Sequence, residues 1–270
     1  MPHDPKPGFV QLVGAGPGAA DLLTLRALRA IEGCEALLYD ALVSEEILAL
    51  APASCLKIQT GKRAGRTSMK QETINRLMLR LAKRGLRVVR LKGGDPSVFG
   101  RVGEEAAFLN ANGVGTEVTP GITAACAAAA QFNFPLTHRK QARRVVFTTA
   151  KLEAGALQAD WSSAADPETT LAIYMGGGAA EELSARLIDA GRPASTPAVA
   201  VESAGTPRAR LRRGTVGDLA RLVEDGEGGP VLLVIGEVAA LAEAREVGDG
   251  SRANDPSPLA GEGGPRQRVG

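Results

Sequence analysis

A glycine-rich loop near the start of the chain is the first segment whose residues could do chemistry. The apolar run at 9–13 leads into residues 14–19 (GAGPGA), which satisfy the G-x-G-x-x-[GA] pattern of dinucleotide-binding turns, with Glu35 and Asp40 near the expected acidic position. Pro17 removes one backbone N–H donor, which weakens a pyrophosphate site. Glycine turns can instead bring main-chain carbonyls close to a neutral or cationic ligand. Both interpretations, and a turn without a ligand, remain open at this point.

A second candidate site follows the apolar run at 88–91. Gly93 and Gly94 would let the main chain approach a ligand closely, because neither residue carries a Cβ. Asp95 could accept hydrogen bonds from hydroxyl or amino groups of that ligand. An Asp-Pro turn at the end of a strand explains the same residues without any ligand.

Composition narrows the classes of function. Aromatic residues make up only 3% of the chain, which argues against a single-stranded nucleic acid ligand, and a formal net charge of +2 gives no overall field. The two histidines, His3 and His138, are too few for most catalytic transition-metal sites. Cys34, Cys55 and Cys126 form no C-x-x-C pair. We therefore expect metal-free chemistry in a reducing cytoplasm.

The elements that must position these residues alternate along the chain. Short β-branched runs such as EALLY and RVVRL are separated by helical patterns such as SMKQETINRLMLRLAKRG, which predicts βαβ units and a mostly parallel sheet. No apolar run reaches the roughly 18 residues that a membrane span requires. We therefore expect a soluble α/β protein without a membrane partner.

The polar, proline-bearing segment QFNFPLTHRKQA at 131–142 is the natural junction between two domains. We predict a flexible N-terminus at 1–8, an N-terminal α/β domain at 9–140 and a C-terminal α/β domain at 141–243. From 244 to 270 the chain is rich in Gly, Pro, Ser and charged residues, which cannot bury enough apolar surface to offset the entropy of ordering. We predict that this tail is disordered.

Five motifs, in this order, resemble those of the tetrapyrrole methylase superfamily, and within it the uroporphyrinogen-III C-methyltransferases. They are VGAGPG, YDALVS, GKRAGRTS, RLKGGDPSVFGRVGEE, and TPGITAA followed by PLTHR. With YMGGG and VAVESAGTPRARLRRGTV, the resemblance covers residues 9–241. It implies two α/β domains, the first with a mostly parallel sheet that has helices on both faces and the second with a mixed sheet, and an active site in the cleft between them. The implied activity is double methylation of uroporphyrinogen III on rings A and B, giving precorrin-2 for sirohaem or cobalamin.

The same resemblance implies which residues hold the methyl donor, S-adenosylmethionine. Both domains contribute, and the contacts come from main chain as well as side chains. The implied donor-binding residues are Pro17, Gly93, Gly94, Asp95, Val98, Thr123, Ala124, Met175 and Ala204.

Asp40 and Lys62 match the positions that this family uses as proton acceptor and proton donor. A base is needed because an electron-rich pyrrole carbon that attacks the methyl group becomes a cation and must then lose a proton. Asp40 follows a strand of a predicted parallel sheet, where ligands gather, although a turn aspartate fits there too. For Lys62 we favour an electrostatic role, because substrate carboxylates around it would stabilise its protonated form.

The substrate is a macrocycle with many carboxylate arms, so its site must supply local positive charge. Bidentate contacts from arginine are the expected mode. Besides Lys62, the candidates are Arg63, Arg66, Arg101, Arg139 and Lys140.

Alternative hypotheses remain open. The chain could methylate another tetrapyrrole or corrin precursor, it could be a dinucleotide-dependent oxidoreductase built on the GAGPGA loop, or it could carry a tetrapyrrole without turning it over. We expect a small-molecule tetrapyrrole partner and no nucleic acid, and the resemblance implies a homodimer.

Overall fold

The computed structural model of the chain describes residues 8–61, 69–150, 152–153, 156–157, 164–224 and 226–243. The N-terminus predicted to be flexible is represented by Gly8 alone, and the tail predicted to be disordered lies outside the described residues. Within the described ranges, no helix is both long and apolar enough to cross a membrane.

Five parallel strands form the first sheet. In chain order they are β1 (Phe9–Gly14), β2 (Ala36–Tyr39), β3 (Leu56–Gln59), β4 (Val88–Lys92) and β5 (Gly115–Thr119). Their order across the sheet is β3-β2-β4-β1-β5, and every pairing is parallel. β1, β2 and β4 are almost entirely buried, as expected for parallel strands that are covered on both faces.

Helices cover both faces of this sheet. They are α1 (Leu25–Glu32), α2 (Glu45–Ala49), α3 (Gln71–Lys83) and α4 (Val102–Ala111), with a 3-10 turn at Ala20–Leu22. On one face Ile31 of α1 and Ile47 of α2 pack with Val13, and on the other Met78 of α3 packs with Leu12. Because successive side chains of a strand point to opposite faces, neighbours in β1 reach both cores.

The second sheet is mixed. After α5 (Ala124–Gln131) its elements are β6 (Arg144–Thr149), β7 (Leu152–Glu153), β8 (Ala156–Leu157), β9 (Thr169–Tyr174), α6 (Ala180–Asp189), β10 (Pro197–Glu202), β11 (Arg210–Thr215), α7 (Leu219–Glu224) and β12 (Val231–Ile235), with 3-10 turns at Gly177–Ala179, Val216–Asp218 and Glu237–Leu241. Five strands run in the order β11-β10-β12-β9-β6, where β6 and β9 are parallel and the other pairs antiparallel, while β7 and β8 form a separate hairpin. The prediction of a parallel sheet followed by a mixed sheet is confirmed.

Helix α5 packs against the second sheet. Ala125, Ala128 and Phe132 share a buried cluster with Val199 and Val201 of β10, while α6 and α7 cover the opposite face. The small side chains of this alanine-rich helix let its backbone lie close to the strands. The chain therefore joins the second core before the predicted boundary at 141, and the domain limits themselves remain predictions.

Arg192 is a buried arginine that ties the chain ahead of β9 to the second core. Its Nη1 donates to the carbonyl oxygens of Ala164, at 3.0 Å, and Asp166, and its Nη2 donates to the Thr169 carbonyl oxygen at 3.0 Å. Arg192→Met should lower the free energy of unfolding by about 3 kcal/mol, because buried carbonyls would lose their donor. Urea unfolding followed by circular dichroism measures this.

The matched control is Arg186→Met on α6, where the arginine is partly exposed and bonded to Glu182. Its unfolding free energy should change by less than about 0.5 kcal/mol. Equal losses in the two variants would contradict the role given to Arg192.

Candidate active site

The carboxyl ends of four neighbouring strands carry the predicted site residues. Asp40 follows β2, the Gly93-Gly94-Asp95 segment follows β4, the glycine loop follows β1, and Thr123 lies after β5 at the start of α5. The alternation of strands and helices brings these ends to one edge of the sheet, which is where ligands bind in parallel α/β proteins. We call this edge the carboxyl edge.

Four glycines let the loops of the carboxyl edge touch through their main chains. Gly16 and Gly94 exchange hydrogen bonds, with N···O distances of 3.2 and 2.6 Å. A Cβ on Gly14 would lie 2.6 Å from the Gly121 nitrogen and 2.7 Å from the Gly94 oxygen, which is too close for any other residue. Gly121 was not singled out from the sequence, although it lies within the TPGITAA motif.

Asp95 fixes the β4 loop to the β5 loop. Its Oδ1 accepts from the Ser97 N–H at 2.8 Å and its Oδ2 accepts from the Gly121 N–H at 2.9 Å. Each carboxylate oxygen has a second lone pair that could accept from a ligand, so the predicted contact is compatible with these bonds and stays a prediction.

The glycine loop is also packed against the second half of the chain. The Ala19 N–H donates to the Gly205 carbonyl oxygen at 3.0 Å, and a Cβ on Gly205 would overlap the ring of Pro17. Ala204, the predicted donor contact, precedes this glycine. A dinucleotide site needs a helix N-terminus directly after the loop, but α1 begins only at Leu25, after a 3-10 turn. The geometry therefore disfavours the oxidoreductase hypothesis.

Tyr174 at the end of β9 reaches across to the first half. Its hydroxyl lies 2.6 Å from Thr123 Oγ1 and accepts from the Ala125 N–H at 3.2 Å. Its ring centroid lies 5.1 Å from that of Phe99 and 5.9 Å from that of Phe147. Burial raises the pKa of Tyr174 while the bond to Thr123 opposes that rise, so the phenol stays neutral at physiological pH.

Exposed apolar side chains line the space between these two halves. Leu42, Phe99 and Met175 are 61%, 41% and 50% exposed, respectively, and a Cβ on Gly93 would lie 3.2 Å from the Leu42 Cβ. Large apolar side chains grouped at one edge indicate a binding surface. A Cβ on Gly94 would meet only the Thr123 Cα, at 3.9 Å, so the main chain borders open space there.

The structure brings all nine predicted donor-binding positions to this edge. Pro17, Gly93, Gly94, Asp95 and Thr123 are placed there by the contacts above, and Met175 and Ala204 are the chain neighbours of Tyr174 and Gly205, which contact the first half. Ala124 begins α5, and the Val98 N–H donates to the Asp95 carbonyl oxygen at 3.1 Å. Their roles toward a ligand stay predictions.

Asp40 is held by a charged network that the sequence did not reveal. Its Oδ1 accepts from Arg90 Nη2 and from Thr60 Oγ1, the latter at 3.2 Å. Glu105 is fully buried beneath it and accepts from Lys92 Nζ, at 3.1 Å to each carboxylate oxygen. Burial lowers the pKa of Lys92, and the neighbouring Arg90 adds to that effect, while Glu105 and Asp40 oppose it. The available signal was charge inside a strand, VVRLK, that is otherwise apolar.

The predicted substrate cations are not assembled in the same way. Arg101 is exposed and donates to Glu104 at 2.8 and 2.6 Å. Arg139 and Lys140 are exposed in a turn that leads into Arg144, the end of β6 away from Tyr174. Lys62, Arg63 and Arg66 lie outside the described residues. The substrate-binding role of all these cations therefore stays a prediction.

In the part of the chain that the structure describes, no group of three or more His, Cys, Asp or Glu side chains is placed to hold a metal ion. What the carboxyl edge offers chemically is an anchored carboxylate beside an apolar, glycine-walled space.

Comparisons with known proteins agree on one family. A family model described as Tetrapyrrole (Corrin/Porphyrin) Methylases matches residues 10–220. A uroporphyrinogen-III C-methyltransferase from Paracoccus denitrificans is 46% identical over 238 residues, which cover 87% of this chain and 83% of that protein. A siroheme synthase from Chromobacterium violaceum is 46% identical over 237 residues, covering 87% of this chain and 50% of that protein. The chain thus spans about half the length of the siroheme synthases that it matches.

A solved structure shares both sheets. The uroporphyrin-III C-methyltransferase of Thermus thermophilus, complexed with S-adenyl homocysteine, has a TM-score of 0.75 and 41% sequence identity to this chain. The match covers 86% of this chain and 99% of that one.

Proposed function

The chain belongs to the tetrapyrrole methylase family, and on that basis we propose that it transfers methyl groups from S-adenosylmethionine to rings A and B of uroporphyrinogen III, giving precorrin-2. The observation that carries the proposal is the open space beside Gly94, where a Cβ would meet only the Thr123 Cα, next to the hydrogen bond between Thr123 and Tyr174 that joins the two halves. The similarity to the uroporphyrinogen-III C-methyltransferase of Paracoccus denitrificans supports the substrate, and the similarity to the Thermus thermophilus enzyme complexed with S-adenyl homocysteine supports the donor.

The residues of the cleft fit this donor. Gly93 and Gly94 open the main chain to a ligand, Leu42 and Met175 offer apolar surface, and Pro17 leaves the loop poorly suited to a phosphate. We expect the donor to be held by the nine residues that the resemblance implies: Pro17, Gly93, Gly94, Asp95, Val98, Thr123, Ala124, Met175 and Ala204. When bound, S-adenosylmethionine supplies an activated methyl group on a sulfonium.

The chain itself orients the reacting groups and supplies a proton acceptor. Holding the attacking pyrrole carbon in line with the methyl group can lower the barrier by about 7–11 kcal/mol. Asp40 is anchored through Oδ1 and its side chain is 33% exposed, so Oδ2 can accept the proton that the macrocycle loses from a methylene bridge beside the methylated ring. Lys62 and the arginines predicted from the sequence would anchor the carboxylate arms.

The direct test is anaerobic incubation of the purified chain with uroporphyrinogen III and S-adenosylmethionine, followed by mass spectrometry. We expect a product heavier by two methyl groups. No such product under conditions where the substrate stays reduced would contradict the proposal. Calorimetry with NADP and with S-adenosylhomocysteine separates the methylase from the oxidoreductase, since only the methylase hypothesis predicts binding of S-adenosylhomocysteine.

Tyr174→Phe should weaken S-adenosylhomocysteine binding about 5- to 10-fold. The reason is that the variant loses the partly buried hydroxyl that hydrogen-bonds Thr123 to the second half. Isothermal titration calorimetry measures the change. Tyr39→Phe is the matched control, as it deletes the same atom from the other of the two tyrosines. An equal change in both variants would contradict the bridging role of Tyr174.

The proposal also covers the partner, the domain limits, and the compartment and oligomeric state. The tetrapyrrole is the small-molecule partner, the domain limits are 9–140 and 141–243, and the enzyme acts in the cytoplasm as a homodimer. The dimer is supported only by the resemblance, and light scattering coupled to gel filtration tests it: a monomeric mass for the active enzyme would contradict it.

A further inference from the structure

Three buried charged side chains lie beneath Asp40. Arg90 and Lys92 come from β4 and are 2% and 4% exposed, and Glu105 comes from α4 and is fully buried. Burying charge is costly unless a partner compensates it, and replacing such a network with apolar residues is often neutral or stabilising. The presence of this network is therefore not explained by a contribution to the stability of the fold.

Arg90 uses every nitrogen of its guanidinium group. Nη2 donates to Asp40 Oδ1, and Nε donates to Glu105 Oε1 at 3.2 Å. Nη1 donates to Thr60 Oγ1 at 3.1 Å and to the Leu91 carbonyl oxygen at 3.3 Å. Because the guanidinium is planar and bonded on three sides, it cannot turn without breaking one of these bonds.

Glu105 fixes Arg90 from below. Its Oε1 also accepts from Gln71 Nε2 at 2.9 Å, and Lys92 donates to both of its oxygens. With Asp40 included, the network holds two cations, Arg90 and Lys92, and two anions, so its charges balance. Lys92 balances the negative charge of Glu105, and Arg90 balances that of Asp40.

Asp40 is anchored on one side only. Both of its side-chain hydrogen bonds within the described residues go to Oδ1, and no described residue donates to Oδ2. Among the described residues, the carboxylate is therefore held through Oδ1, while Oδ2 has no donor. That is the arrangement that a proton acceptor of fixed direction requires.

We propose that Arg90 is a positioning residue for proton removal, and that Glu105 holds Arg90 in place, so that the three side chains Glu105, Arg90 and Asp40 work as one unit. The inference rests on the proposed function. A C–H bond of the methylene bridge beside the methylated ring breaks, its electron pair neutralises the cation of that ring, and the proton moves to Asp40 Oδ2. Arg90 stays protonated throughout, and the neutral Asp40 then releases its proton to water.

A double-mutant cycle tests the proposal. Arg90→Lys keeps the charge but not the planar fork, and it should lower kcat about 10- to 100-fold through misplacement of the carboxylate. KM for uroporphyrinogen III and Kd for S-adenosylhomocysteine should stay unchanged. In the Asp40→Asn background, Arg90→Lys should change kcat by less than about twofold, because the group it positions is gone. The same loss in both backgrounds would overturn the inference.

Arg87→Lys, also on the approach to β4 but partly exposed and paired with Glu35, is the matched control and should leave kcat unaltered. If Arg90→Lys does not fold, the paired variant Glu105→Gln with Lys92→Met replaces it, since it removes one charge of each sign. It should lower kcat about 3- to 10-fold with Asp40 present and by less than about twofold in the Asp40→Asn background. Equal losses would again overturn the inference.

Crystal structures supply a readout that does not depend on turnover. We expect one carboxylate orientation for Asp40 in the wild type and more than one in Arg90→Lys. An unchanged, single orientation in Arg90→Lys would overturn the positioning role, even if the wild type is active. A wild type that makes no dimethylated product would instead refute the proposed function, and the inference with it, whatever the orientation of Asp40.

Discussion

Asp40→Asn should lower kcat for methylation of uroporphyrinogen III by about 10²- to 10⁴-fold, the usual contribution of a positioned general base. Asparagine keeps the size of the side chain and can still accept from Arg90, but it cannot take up the proton. The affinity for S-adenosylhomocysteine should hardly change, because Asp40 follows β2 and is not among the nine donor positions, which lie around β1, β4 and β5 and after β9 and β10. Single-turnover kinetics with labelled donor measures the effect.

The matched control is Asp189→Asn, which makes the same exchange at an exposed position at the end of α6. It should leave kcat and donor affinity unchanged. Wild-type turnover in Asp40→Asn would assign proton removal to another group, and a parallel loss of donor affinity would assign Asp40 to donor binding.

Gly121→Ala should remove donor binding and lower the free energy of unfolding by about 3 kcal/mol, the upper range for an overpacked site. A Cβ at this position would lie 2.9 Å from the Gly14 Cα and closer still to the Gly94 carbonyl oxygen. These are main-chain atoms of two other loops, so no side chain can rotate away. The loops of β1, β4 and β5 would have to separate. Calorimetry with S-adenosylhomocysteine and urea unfolding report the two effects.

Gly103→Ala provides the control for this exchange. Gly103 lies inside α4, where a Cβ would meet nothing within 4 Å. Alanine should raise the unfolding free energy by about 0.5–1 kcal/mol through its helix propensity. Normal donor affinity in Gly121→Ala would contradict the account of the three touching loops.

Much of the first half could be predicted from the sequence because its elements are locally encoded. The apolar runs EALLY and RVVRLK became the buried strands β2 and β4, and their ends carry Asp40 and Gly93 to the carboxyl edge. The parallel topology then places these ends side by side. By contrast, RLRRGT gave no strand signal, and it forms β11 only because β10 offers it an edge to pair with.

The contacts within the site could not be predicted, because they join residues far apart in the chain. Arg90 and Asp40 are separated by 50 positions, and Tyr174 and Thr123 by 51. The sequence shows which polar and charged side chains are present, but the packing of the sheets determines which of them come into contact. The same holds for α5, whose alanine-rich sequence fits a buried helix against either sheet.

The measurement that tests the central claim most directly is a crystal structure of the chain with S-adenosylhomocysteine. We expect the ligand between the two halves, against the main chain of Gly93 and Gly94 and beside Thr123 and Met175, with Asp40 facing the sulfur side. A ligand bound anywhere else would contradict it.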